Sequence, residues 1–266
     1  MSGVIPISNW QLALSTILLV LAGVLAASLR LGIVKSLAVS AVRTFVQLYI
    51  MGFILSVLFA QKNLFLTAAV IVIMTAVATQ AATRRAKGVP QYPRALAFLA
   101  LLLSTLITGL MVVTLIIRAE PWHSPRIVIP IFGMILGNSM NAVAISLERL
   151  YASVRNKIDE LEVLIACGAT PWETARDCVA EAVRAGMTPT INSMMVIGLV
   201  SLPGMMTGQI LGGADPREAV RYQIVIMYVI AAAVTIGSFI LVGLAYKRLF
   251  DKEGALLLSL KFNAKQ

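Results

Sequence analysis

Seven runs of about 20 apolar residues, each long enough to cross a bilayer, dominate this sequence. They fall at Trp10–Leu29, Ile33–Ala60, Leu64–Thr83, Ala95–Ile117, Ile127–Leu147, Met187–Leu211 and Ile224–Ala245. Hydrocarbon offers no partner for a free backbone amide, so uninterrupted apolar runs of this length must pair their polar groups within a helix. Composition agrees: 59% of residues are hydrophobic and 13% charged, against about a quarter charged in an ordinary soluble domain. Residues 1–266 therefore read as a single transmembrane domain. No basic stretch and small-residue cleavage site accompany the first run, which is expected to be a retained helix and not a signal peptide.

The net charge of +10 would suit nucleic acid, but its distribution points elsewhere. With the N-terminus outside, the inner connections and tail hold sixteen Lys and Arg. The outer loops hold five: Lys62, Arg118, Arg126, Arg217 and Arg221. Arg43 lies inside a span. Basic residues thus set orientation, with the N-terminus outside and the C-terminus cytoplasmic, and no nucleic-acid partner is expected. The expected fold is an all-α membrane protein of seven transmembrane helices, with a cytoplasmic helix-elbow-helix between the fifth and sixth. Cys167 and Cys178 share that inner loop, where reduced thiols are the rule. Their spacing, with His123 the only histidine, gives no metal-site pattern.

Polar residues inside the spans mark faces that need a partner. In the second span Ser36, Ser40, Arg43 and Gln47 share one helical face. An intramembrane arginine costs at least ~2.5–3.5 kcal/mol on insertion scales, so Arg43 should face protein or water. It reads either as a structural arginine or as part of a pathway. Ser104, Thr105 and Thr108 of the fourth span can bond back to their own helix. In the fifth span, Gly133 and Gly137 have the spacing that lets another helix approach closely, and Asn138 and Asn141 share a face. Those amides bond between helices or border a pathway, and the two readings are compatible.

The inner loop 148–186 holds seven of the twelve acids against five bases, so positive-inside anchoring does not explain it. Val154, Ile158, Leu161, Leu164 and Ile165 recur at helical spacing, and Gly168 is placed to end that helix. Thr170-Pro171-Trp172-Glu173 then forms a capping box, with proline at the first helical position, opening a second helix to about Ala185. The elbow either docks on a partner or packs as a simple helical hairpin.

The sixth span is the anomalous one. It contains Asn192, Ser193, Pro203, Gln209 and glycines at 204, 208 and 212, and Pro203-Gly204 predicts a kink or break. Met195 and Met206 are core filler, or soft ligands poorly suited to iron. The four-residue glycine spacing suits close packing, including against a second copy of the chain.

At these two segments the chain resembles a known family. Glu162 to Gly168 matches the Glu-and-Gly frame of the EAA-xxx-G loop by which importer permeases of the ATP-binding-cassette (ABC) class contact their ATPases, with the two alanines replaced. The stretch from Thr188 through Ser201-Leu202-Pro203-Gly204-Met205-Met206-Thr207-Gly208-Gln209 to Asp215-Pro216 and Arg221-Tyr222-Gln223 resembles the iron export permeases. That family includes plant permeases linked to aluminium tolerance.

The resemblance implies a half-transporter in a bacterial inner (plasma) membrane, two permease chains pairing with two ATPase subunits. The chain lacks a Walker-type motif, so ATP and Mg would be bound by the partner and no cofactor by this chain. Glu162, Gly168, Ala169, Thr170, Pro171 and Trp172 would couple to the ATPase. Pro203, Gly204 and Gly208 would form a hinge or gate. Arg43, Gln47, Asn138, Asn141, Asn192, Met195, Met206 and Gln209 would border the route of iron efflux. Export of a nucleotide sugar or other small anion, which would favour Arg43, and an ATP-independent channel are the alternatives.

Overall fold

The computed structural model describes residues 7–61, 63–86, 89, 93–251 and 253–257. Lys62, Lys87, Lys252, Lys261 and Lys265, five of the basic residues used for orientation, and the turn residues Gly88, Pro90, Gln91 and Tyr92 lie outside them. The described chain is helical: α1 (Asn9–Ser28), α2 (Val34–Ala60), α3 (Leu64–Arg85), α4 (Arg94–Met111), α5 (Pro125–Asn156), α6 (Ile158–Ala166), α7 (Pro171–Val196), α8 (Gly204–Leu211) and α9 (Pro216–Ala245). A π-helical turn extends α4 to Ile116, and a 3-10 turn extends α9 to Leu249.

Local signals start and hold these helices. Ser8 and Gln11 form a capping box on α1, and Asn63 and Asp215 accept the first free amides of α3 and α9. Within the spans, hydroxyls close on carbonyls one turn back: Thr75, Thr79 and Thr83 of α3 at 2.7–2.8 Å, and Thr108 of α4 at 2.7 Å. These hydroxyl protons are satisfied within their own helices, whereas Thr105 of α4, expected to bond back in the same way, is buried without a hydrogen-bond partner among the described residues.

Helix α5 is the axis of the molecule. Its 32 residues rise about 48 Å, well beyond a ~30 Å hydrocarbon core. One end packs Ile131, Phe132 and Ile135 with Ile226, Ile230 and Val234 of α9. The other packs Leu147, Leu150 and Val154 with Ala175, Cys178 and Val179 of α7 and with Leu249, Phe250 and Leu256. Helices α3 and α4 close the remaining sides, whereas α1 and α2 touch the others sparsely and expose nearly every residue. Apolar side chains cover those two helices, as lipid contact requires.

Among the described residues, six helices are long and apolar enough to cross a membrane: α1, α2, α3, α4 with its π turn, α5, and α9 with its 3-10 turn. The sixth span drawn on the sequence is not one continuous helix. Residues 187–196 belong to α7, which runs on from the elbow without stopping near Ala185, and residues 204–211 form α8. Helix α7 continues because its buried stripe, Thr174, Ala175, Cys178, Val179, Ala182 and Gly186, keeps packing against α5 and α9 past the expected stop. Tertiary contact outweighs the weak helix propensity of Gly186 and Pro189.

The elbow has the expected local form. Gly168 adopts φ +91°, the amide of Gly168 bonds to the carbonyl of Ile165 at 2.9 Å, and that of Ala169 bonds to Leu164 at 3.0 Å. This is a Schellman ending, and it needs the left-handed residue that glycine supplies without strain. Glu173 accepts from the Thr170 amide at 2.8 Å, and the Thr170 hydroxyl accepts from the Glu173 amide at 3.3 Å. Trp172 packs edge-on against Tyr246 at 5.4 Å, which fixes the elbow to the end of α9.

Candidate functional site

A cavity of about 470 Å³ lies where α5, α7, α8 and α9 meet. Asn138 and Asn141 of α5, Thr190 and Ser193 of α7, and Gln223 of α9 supply its polar lining, with the thioethers of Met134, Met205 and Met227 beside them. Among the described residues, none of its lining side chains is charged. The Gln223 carbonyl oxygen is buried, the residue being 7% exposed, and has no partner among the described residues. Asn138 donates to the carbonyl of Met134 at 2.8 Å, and Asn141 accepts from the guanidinium of Arg85. The cavity therefore presents neutral amide, hydroxyl and thioether groups.

One wall of this cavity is irregular backbone. Helix α7 ends at Val196, Gly198 takes φ +84°, and its amide bonds to the carbonyl of Ser201 at 2.9 Å. Pro203 then stands as the N-cap of α8. The interruption spans seven residues, Ile197–Pro203, so the break predicted at Pro203-Gly204 begins one glycine earlier, at Gly198. Leu199 and Val200 at its tip are 91% and 81% exposed. Neither lines the cavity, whereas Ser201, Leu202, Pro203 and Gly204 do.

The opposite limit of the cavity is a tight crossing. Gly186 and Ala142 line the cavity, and a Cβ at Gly186 would overlap the Ser146 hydroxyl and stand 2.8 Å from the Ala142 carbonyl and 3.1 Å from the Ser238 hydroxyl. Only glycine lets α5, α7 and α9 approach this closely. The expected close approach at Gly133 and Gly137 does not occur within the chain: a Cβ on Gly137 would meet nothing within 4 Å, and one on Gly133 only the flexible end of Met74. The glycine that matters for packing is Gly186, whose neighbours are far away in sequence.

Toward the elbow, α7 is tied to α5 by ionic contacts. Glu181 accepts from the Ser153 hydroxyl at 2.7 Å, pairs with the Arg149 guanidinium, and lies 3.8 Å from the Lys157 ammonium. The Ser153 and Arg149 hydrogen bonds hold its carboxyl below the ordinary carboxylate range. Glu173 is held low by its side-chain and backbone bonds from Thr170. Both carboxylates stay ionised near neutrality and fasten the elbow.

The structure gathers part of the predicted route. Asn138, Asn141, Pro203 and Gly204 line the cavity. Arg43 and Gln47 line a different one, between α2, α3 and α5. Met206 is buried and lines a third, beside Tyr228 of α9. Asn192 and Met195 lie exposed on α7, and Gly208 is exposed on α8; Gln209 has a buried side-chain oxygen without a partner among the described residues. Thr190, Gln223 and Met227 are not assigned to the route by the sequence, and Ser193 is marked there only as a polar residue of the anomalous sixth span. Gln223 stands one residue before the seventh apolar run, beside Arg221 and Tyr222, where an amide gives no sign of burial. In the elbow, Gly168, Thr170 and Trp172 are exposed, and Glu162, Ala169 and Pro171 half-buried.

Residues 9–250 match a family described as "Uncharacterised protein family (UPF0014)". The chain is 35% identical to "UPF0014 membrane protein YjkA" of Bacillus subtilis, over 90% of this chain and 94% of that one. It is 34% identical to "Protein ALUMINUM SENSITIVE 3" of Arabidopsis thaliana, over 90% and 86%. It is 30% identical to "Probable iron export permease protein FetB" of Escherichia coli, over 95% and 96%. No solved structure matches.

Proposed function

The chain belongs to the UPF0014 family of multi-pass membrane proteins, and from that premise we propose that it is the permease subunit of an ABC exporter of iron in a bacterial inner membrane. Its relative FetB carries the name of an iron export permease. The observation that carries the mechanism is the continuity of α7: one helix of 26 residues, about 39 Å long, runs from the capped elbow to the broken backbone that walls the cavity.

In this reading the elbow end faces the cytoplasm, as the sixteen-to-five distribution of basic residues favours. The N-terminus is outside, and the interrupted segment α7–α8 completes a seventh crossing. Two copies of the chain pair with two ATPase subunits, which hold ATP and Mg; this chain has no ATPase site of its own. Glu162, Gly168, Ala169, Thr170, Pro171 and Trp172 form the docking surface. Closure of the ATPases pushes the elbow, and α7 carries the displacement as a stiff rod held to α5 through Glu181. The turn at Gly198 and Pro203-Gly204 absorbs it, so the cavity changes width. Neutral amide, hydroxyl and thioether groups can replace part of an ion's hydration without holding it, as passage requires. Asn192, Met195 and Gly208, exposed in the single chain, would face the second copy.

Co-reconstitution with the ATPase tests the substrate. Iron should stimulate ATP hydrolysis in liposomes holding both subunits. Stimulation by a nucleotide sugar and none by iron would overturn the assignment of iron, and ATP-independent flux through the chain alone would make it a channel.

A further inference from the structure

We infer that the groove between α2, α3 and α5 binds the phosphate of an acidic phospholipid. The groove encloses about 680 Å³ and shares no lining residue with the cavity of α7, α8 and α9. Arg43 and Gln47 project into it from α2, and Gln80, Arg84 and Arg85 from α3. No carboxylate lines it among the described residues. Arg85 is engaged with Asn141, whereas Arg43 and Arg84 form no hydrogen bond or ion pair among the described residues.

Unpaired guanidinium groups at membrane depth are costly and call for an anion. The guanidinium fork matches phosphate oxygens, and basic pockets between spans suit anionic head groups. The depth is also right. The 27 residues of α2 rise about 40 Å, roughly 10 Å more than the hydrocarbon core. Arg43 stands nine residues after Val34, about 14 Å along that rise. With that excess shared between the two ends, Arg43 lies within about 10 Å of the boundary, a depth from which its long side chain can reach back toward the interface.

The remaining lining explains why the anion is a lipid. Met51, Ile73 and Val77 continue the groove as an apolar channel suited to an acyl chain. Because α2 touches the bundle sparsely, the groove opens sideways into the bilayer, the direction from which a lipid enters. The absence of lining acids, together with three arginines, selects a net negative head group over a zwitterionic one. This inference does not depend on what the chain transports.

Native mass spectrometry of the delipidated full chain, titrated with phosphatidylglycerol or phosphatidylcholine, tests it. Phosphatidylglycerol should be retained about tenfold better or more, given two to three nearby cationic groups. The double variant R43Q/R84Q should lose that preference, R43K/R84K should keep most of it, and R126Q, whose arginine sits over Phe59 at the opposite end, should keep all of it. Equal retention of the two lipids by the wild-type chain would overturn the inference. So would an unchanged preference in R43Q/R84Q, or displacement of phosphatidylglycerol by inorganic phosphate or pyrophosphate, which would assign the groove to a soluble anion. The wild-type titrations and the lysine pair decide the matter even if the glutamine pair does not fold.

Discussion

The carboxylate of Glu181 on α7 accepts a 2.7 Å hydrogen bond from the Ser153 hydroxyl on α5, with the Arg149 guanidinium on its other oxygen. This contact joins α5 to α7 between the elbow turn and the Gly186 crossing.

Removing the Glu181 charge should loosen that junction. The group is partly solvated, so E181Q is expected to lose about 1 kcal/mol, or about 2–4 °C in Tm. Because the folded pKa lies below the ordinary 4.5, the contribution of Glu181 is fully present above that value. It fades as pH falls through the folded pKa. Thermal unfolding of both proteins across pH 3–8 (roughly the range spanning these values) should show the gap between wild type and E181Q close at the acid end. A gap independent of pH would remove ionisation from the explanation.

At the crossing, G186A should cost about 1–3 kcal/mol, the usual range for overpacking. The added methyl meets the Ser146 hydroxyl and a backbone carbonyl. Shortening the first neighbour in G186A/S146A should restore part of the loss and not all, since the Ala142 carbonyl stays in place. Denaturant or thermal midpoints in detergent give the comparison.

Gly168 tests the elbow separately from the fold. A Cβ there meets nothing within 4 Å, so the cost of G168V is confined to the left-handed backbone, about 1–2 kcal/mol. The protein should fold and enter the membrane, but its displaced elbow should fail to stimulate the ATPase. Asparagine, which tolerates that conformation better, should retain more coupling than valine. Normal ATP-driven transport by G168V would sink the elbow assignment.

In the cavity, Q223L removes the one buried side-chain oxygen of the lining that lacks a partner among the described residues. Loss of one neutral oxygen donor to the passing ion should raise the half-saturating concentration about tenfold. Stability should hold or rise, because a buried unpaired amide is replaced by an apolar side chain. A stability loss with unchanged transport would make Gln223 a packing residue only.

Features encoded within a few residues were legible in the sequence: the Gly168 ending, the Thr170–Glu173 cap and the back-bonded hydroxyls of Ser104 and Thr108 in α4. The route residues were harder, because Met195 and Met206 were placed on the assumption of a continuous helix, in which eleven residues return to one side. Seven non-helical residues between Val196 and Gly204 reset that phase, and the two methionines lie on different surfaces. The role of Gly186 depends on Ser146 of α5 and Ser238 of α9, and the place of Gln223 on the cavity that α9 shares with α5, α7 and α8, all set by residues far away in sequence. Neither periodicity nor a local motif carries that information.

Iron movement in proteoliposomes that hold this chain with its ATPase tests the central claim most directly. The account predicts iron export that requires ATP, stops when the ATPase cannot hydrolyse it, and is lost in G168V while the protein remains folded. Iron flux through this chain without the ATPase, or export undiminished by a hydrolysis-deficient ATPase, would contradict it.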